Sequence, residues 1–212
     1  MNKKFMAFAS VCILLVGGAI GSTVAWLTTQ TDDVQNVFTA GNIEMELKET
    51  TTEYKMIPGW TINKDPVVTV KAGSEDCFVF IEVNKGGGNV TVGSKTYSFD
   101  DFIAYSIDSR WSALTDELGK TVEGVYFCRA ENIASDRKIN VLSGGTYTDS
   151  AGTVAWSTNQ VATKPSVTKQ MMAAVTNSNK PTLTFTAYAV QLYKSNTSEF
   201  TPFKAWQLAK SG

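Results

Sequence analysis

Residues 182–193 read TLTFTAYAVQLY and follow Pro181. Leu183, Phe185, Ala187 and Ala189 fall on one side of an extended chain, and Thr184, Thr186, Tyr188 and Val190 fall on the other. The β-branched and aromatic content suits a pleated, half-buried surface, so the longest strand of the chain is expected here. A second run, residues 77–83 (CFVFIEV), is apolar on both faces until Glu82 and has the character of a central strand. A third, residues 42–48, alternates Ile43, Met45 and Leu47 with Glu44, Glu46 and Lys48, one face buried and one wet.

Between these runs the chain supplies more strands and turns. Pro58-Gly59 marks a turn. Pro66 opens a strand over residues 67–71, a first position where its missing N–H costs no ladder bond. Trp111 and Leu114 begin a hairpin that turns at residues 116–120 and returns over 122–131. Strands are also expected at 139–142 and 153–157, separated by turns at Gly144-Gly145 and at residues 149–152. Phe99, Phe102 and Ile103 have helical spacing behind Asp100 and Asp101, which predicts a short helix over 98–106. Met171, Met172 and Val175 suggest a helical turn facing inward, and core filling accounts for the methionine pair better than a copper site. Thr201 and Pro202 cap a C-terminal helix whose Phe203, Trp206 and Leu208 are expected to seal one end. About eight strands, one to three short helices and no βαβ rhythm predict an all-β, antiparallel two-sheet sandwich. Periodicity does not choose between a jelly roll and another Greek key.

The N-terminus reads as an export signal. Lys3 and Lys4 precede an apolar run, and small residues from Gly17 lead to Thr23 and Ala25, which predicts cleavage between Ala25 and Trp26. The alternative is an uncleaved anchor, since the 21 residues from Phe5 to Ala25 carry no charge and suit a bilayer of about 30 Å. The expected division is a signal at 1–25, a mature N-terminal segment at 26–36 and a sandwich domain at 37–212. Removing 25 of the 212 residues leaves 187, enough for one core. Loss of two lysines takes the formal charge from −1 to −3, which gives no electrostatic case for nucleic acid as a partner. Membrane association is expected only through the uncleaved signal. Cys12 leaves with the signal, while Cys77 and Cys128 lie in strand-like runs. They form either a disulfide suited to an oxidising compartment or two buried thiols.

Gly17, Gly18, Thr23, Ala25, Trp26, Phe38, Gly41 and Ile43, with Pro58-Gly59, Lys64-Asp65-Pro66, residues 73–77 (GSEDC), residues 187–191 (AYAVQ) and Ala205-Trp206, resemble the TasA and camelysin family of secreted biofilm-matrix proteins. The resemblance implies a jelly-roll-like sandwich, processing by a SipW-type signal peptidase, and export to the matrix or surface of a Gram-positive cell. It also implies a donor strand: Trp26, Leu27, Thr28, Thr29, Gln30 and Thr31, freed by cleavage, would add to the next subunit of a fibre, with residues 32–36 as connector. The segment is uncharged and rich in β-formers, as strand addition at an open sheet edge requires. The bland alternative is that it frays or folds back on its own domain.

Chemistry is limited by one composition fact. The chain has no histidine, which excludes a Ser-His-Asp triad, a Cys-His dyad and an HExxH zinc helix. The metalloprotease label of the camelysin branch therefore transfers least well, and neither catalytic residues nor a metal or other cofactor are expected. The carboxylate pairs, such as Asp32-Asp33 and Asp100-Asp101, fall at turns, wet strand faces or a helix start. Gly86-Gly87-Gly88 lacks the Lys-Ser/Thr pair of a phosphate cradle. The chain ends Ala209-Lys210-Ser211-Gly212 without an LPxTG-type motif, which argues against sortase attachment. Two functional classes stay open: a structural subunit that assembles with itself or with related matrix subunits, and a monomeric surface-binding module or adhesin using loops such as residues 86–93.

Overall fold

A computed structural model describes residues 28–30, 43–50, 54–195 and 198–211. The chain is an all-β sandwich built from antiparallel sheets, with three short helices among the described residues. Its first layer is a five-stranded sheet in the order β1 (Thr28–Gln30), β17 (Thr182–Gln191), β5 (Cys77–Gly86), β11 (Thr121–Ala130), β10 (Ser112–Thr115). Strands β5, β11 and β17 are ten residues each, and β5 is central, with Val79 opposite both Cys128 and Ala189. The second layer holds two three-stranded sheets. One is β12 (Arg137–Asn140), β4 (Val67–Val70) and β2 (Met45–Lys48); the other is β3 (Thr61–Asn63), β16 (Gln160–Thr163) and β8 (Ile103–Ala104). Short pairs complete the fold: β9 (Ser106–Ile107) with β13 (Leu142–Ser143), β6 (Val90–Val92) with β7 (Lys95–Tyr97), β14 (Gly145–Asp149) with β15 (Gly152–Trp156), and β18 (Tyr193–Ser195) with β19 (Ser198–Glu199).

The side-chain alternation of β5 and β17 sets the layers. Cys77, Val79 and Ile81, with Phe185, Ala187 and Ala189, join Met45, Val68, Val70, Ile139 and Val161 in the main core. The intervening residues Phe78, Phe80, Tyr188 and Val190 point to the other face, where Leu114 and Val125 join them. That face is covered by helix α3 (Pro202–Ser211), through Ala205, Trp206 and Ala209. The helix was expected to seal one end of the sandwich; instead it forms a third layer, with Phe203 and Leu208 partly buried at its margins. A sheet that is apolar on both faces leaves its second face wet unless another element lies across it, at about 1.5–3 kcal/mol for each large side chain exposed.

The helix expected over 98–106 is only α1 (Phe99–Phe102). Asp100 and Asp101 lie in its first turn, as expected, and the Ser98 amide donates to Asp101 Oδ2 at 2.7 Å. Ile103 then turns extended, at φ −120° and ψ 135°, because Ile103 and Ala104 pair with Thr163 and Ala162. Tertiary main-chain partners override a short apolar period here. Helix α2 (Lys169–Ala173) is capped by Thr168, whose Oγ1 accepts from the Met171 amide, and Met171 is buried as expected. Gly88 has φ +77°, and a Cβ there would lie 2.3 Å from the Phe99 amide nitrogen. Glycine is needed because the loop passes directly against the start of α1.

Candidate assembly edge and an adjoining cavity

Strand β1 lies at the edge of the five-stranded sheet. Thr28, Thr29 and Gln30 stand opposite Val190, Ala189 and Tyr188 of the same chain, in an antiparallel ladder of three pairs. These three residues belong to the predicted donor segment, and they are placed on their own domain. Trp26, Leu27 and Thr31, with the cleavage-site residues Thr23 and Ala25, lie outside the described residues. Among the described residues, Thr182, Leu183, Thr184, Phe185 and Thr186 have a strand partner only on the β5 side. Among the described residues, the ladder with β1 covers only Tyr188, Ala189 and Val190 of β17. Main-chain pairing of this kind carries no sequence identity of its own, so any strand of suitable character fits the same slot.

Helix α3 forms the flank of the slot, with its backbone close to β1 as well as to β17. Its last turn is tied to the sheet by a three-group contact: Tyr188 Oη donates to Glu82 Oε2 at 2.9 Å, and Lys210 Nζ lies 3.1 Å from both oxygens. Burial raises the Tyr188 phenol, and the bonds to Tyr188 and Glu82 hold the Lys210 ammonium above its ordinary range. Tyr188 thus faces Gln30 along the ladder and anchors the helix through its hydroxyl.

At the other end of β17, Thr182, Leu183 and Thr184 form one wall of a cavity of about 400 Å³. Lys64 lines it and is only 7% exposed. Its Nζ donates to Glu49 Oε1 at 2.7 Å and sits 5.3 Å and 5.5 Å from the ring centres of Tyr54 and Phe185. Tyr54 Oη donates to the same Glu49 oxygen. Burial, then that carboxylate, push the Tyr54 phenol far above its usual range. Next to this group, Asp65 accepts from the Thr50 amide and hydroxyl at 2.9–3.0 Å, so the chain after β2 is fastened twice to the link between β3 and β4. Thr163 is fully buried, and its Oγ1 has no hydrogen-bond partner among the described residues. It lies on the same face of β16 as Val161 and opposite Ile103, two residues of the cavity wall.

Cys77 and Cys128 are free thiols. They lie on one face of adjacent strands, yet Cys77 stands opposite Ala130 and Cys128 opposite Val79, two residues out of register. Diagonal neighbours in a sheet have Cα atoms about 7–8 Å apart, beyond ordinary disulfide reach. Burial pushes both thiols up to about 12. Iodoacetamide at pH 8 is therefore expected to label neither cysteine in the folded protein and both in denaturant, with intact mass as the readout. Rapid labelling of the folded state would place these strands in a different packing.

Sequence reasoning passed over two parts of this region. In the sequence Lys64 belongs only to the Lys64-Asp65-Pro66 that leads into β4, because its partner Glu49 is fifteen residues away and no local period links them. The helix layer left a legible signal in Ala205, Trp206 and Ala209, which are spaced for one helical stripe. Residues 86–93, the candidate ligand-contact loop, run from the end of β5 into the β6–β7 hairpin, with Val90 buried. No helix among the described residues is long and apolar enough to cross a membrane. Compared with protein-family models, with curated proteins and with solved structures, the chain matches none of them.

Proposed function

We propose that the mature chain is a secreted structural subunit of an extracellular matrix or surface fibre, which assembles when the N-terminal strand of one copy takes the edge slot of the next. The observation that carries this is the position of β1, held at a sheet edge through three main-chain pairs at the N-terminal end of the described chain. Exchanging a terminal strand between copies reproduces the same pairs and requires no rethreading of the domain. Exchange by itself is nearly neutral, because a tethered strand competes at an effective concentration in the millimolar range. Net gain must come from contacts beyond those three pairs, so growth is concentration-dependent and preceded by a lag. The resemblance to TasA and camelysin supports the same reading, with a SipW-type peptidase freeing the strand at Trp26 and the partner being a second copy or a related subunit. The cavity beside Lys64 favours a second reading, a monomeric surface-binding module.

Electron microscopy of the protein beginning at Trp26, beside a form lacking residues 26–31, separates the two. Filaments from the first form and none from the second are expected. If both stay monodisperse at high concentration, the fibre reading is abandoned.

A further inference from the structure

We infer that the cavity between β17 and the segment around Lys64 is a binding site for a small monoanionic amphiphile, a carboxylic acid with an alkyl or aromatic body. It shares Thr182, Leu183 and Thr184 with the edge of β17 but does not depend on the fibre proposal. Three observations carry it. The volume of about 400 Å³ is in the range of small-molecule sites and above what a few waters occupy. The lining is amphipathic: Ile62, Ile103, Val161 and Phe99 offer apolar and aromatic surface, whereas Lys64, Lys180, Thr182 and Thr184 are polar residues of the wall. The charge is unbalanced toward the positive, although the whole chain is at −1. Lys64 is already met by Glu49, but Lys180 lines the cavity, is exposed, and has no ion-pair partner among the described residues. An ammonium at the wall of an apolar recess selects an anion whose body can be desolvated, and rejects a cation of equal length. The buried Thr163 hydroxyl, opposite Ile103 in the ladder, marks polar capacity beyond what the described residues satisfy.

The acid lies with its body against Phe99, Ile62 and Ile103 and its carboxylate toward Lys180. No bond is made or broken.

Isothermal titration of the purified protein with decanoate, 3-phenylpropionate and decylammonium tests the site. One-to-one saturable binding of at least one acid, and none of the ammonium ion, is expected; comparing the two acids distinguishes an alkyl from an aromatic body. Lys180→Gln should weaken acid binding about tenfold, the loss expected when a charged partner is removed. Leu183→Trp fills the cavity from β17 and Met56→Trp from a separate stretch of its lining, and either should abolish binding. Circular dichroism of both variants guards against misfolding, and the two positions are independent, so one folded variant suffices. The site is overturned by absence of saturable acid binding, by equal binding of decylammonium, or by acid affinity that survives a folded Trp variant.

Discussion

Trp206→Ala is expected to destabilise the fold by about 3–5 kcal/mol, measured as a lowered denaturation midpoint at unchanged slope. The side chain is 8% exposed and is the largest part of the third layer. Its ring centre lies 5.5 Å from Phe80 and 5.1 Å from Tyr188, the latter edge-on at 89°, and Lys210 Nζ stands 5.4 Å over it. Removing it takes away the aromatic pairing and opens the face formed by Phe78, Phe80, Tyr188 and Val190, which no other helix among the described residues covers. Alanines at 205 and 209 are too small to close the gap. Against a total stability of about 5–15 kcal/mol for a domain, the loss is a large fraction. Leu118→Ser provides the contrast: it sits at a hairpin tip, 93% exposed, and should change stability by less than about 0.5 kcal/mol. A Trp206→Ala effect as small as that would mean that α3 is an appendage. Because the same helix flanks β1, a weakened α3 should also weaken retention of the N-terminal strand, which hydrogen exchange at Thr28, Thr29 and Gln30 would report as faster.

How far the sequence carries a reader depends on whether the deciding signal is local. Period-two alternation identifies β17 and β2, and two-sided apolarity identifies β5 as central, because each is written within ten residues of one strand. The start of α1 is local too, in the Ser98–Asp101 pairing, and so is the Thr168 cap of α2. The end of α1 is not: Ile103 leaves the helix for a partner sixty residues later, Thr163. Strands β14 and β16 were missed for a related reason. Gly145–Asp149 lies between two turn signals and is half exposed, and Gln160–Thr163 is only four residues long. The edge position of Thr28–Gln30 required knowing that β17 lies outside β5, which is a fact of sheet order and not of composition. The cavity was least legible of all, since its lining comes from five separated stretches of chain.

The buried ion pair beside that cavity has the second large expected effect. Lys64 and Glu49 have side chains 8% and 18% exposed, well inside the range where solvent no longer screens them fully. Glu49→Ala leaves an ammonium enclosed by Tyr54 and Phe185, removes the acceptor of the Tyr54 hydroxyl, and is expected to cost about 3–5 kcal/mol. Lys64→Met leaves Glu49 with the Tyr54 donor and a more open position, so the same change of charge should cost less. The double variant decides the physics. Two charges removed together relieve the enclosed ammonium, so Glu49→Ala with Lys64→Met should be more stable than Glu49→Ala alone, a non-additivity of about 0.5–3 kcal/mol. Additive losses below about 1 kcal/mol each would instead mean that the pair behaves as a hydrated surface contact. The position would then be explained by the Thr50–Asp65 bonds next to it, which fasten the same two segments without burying a charge.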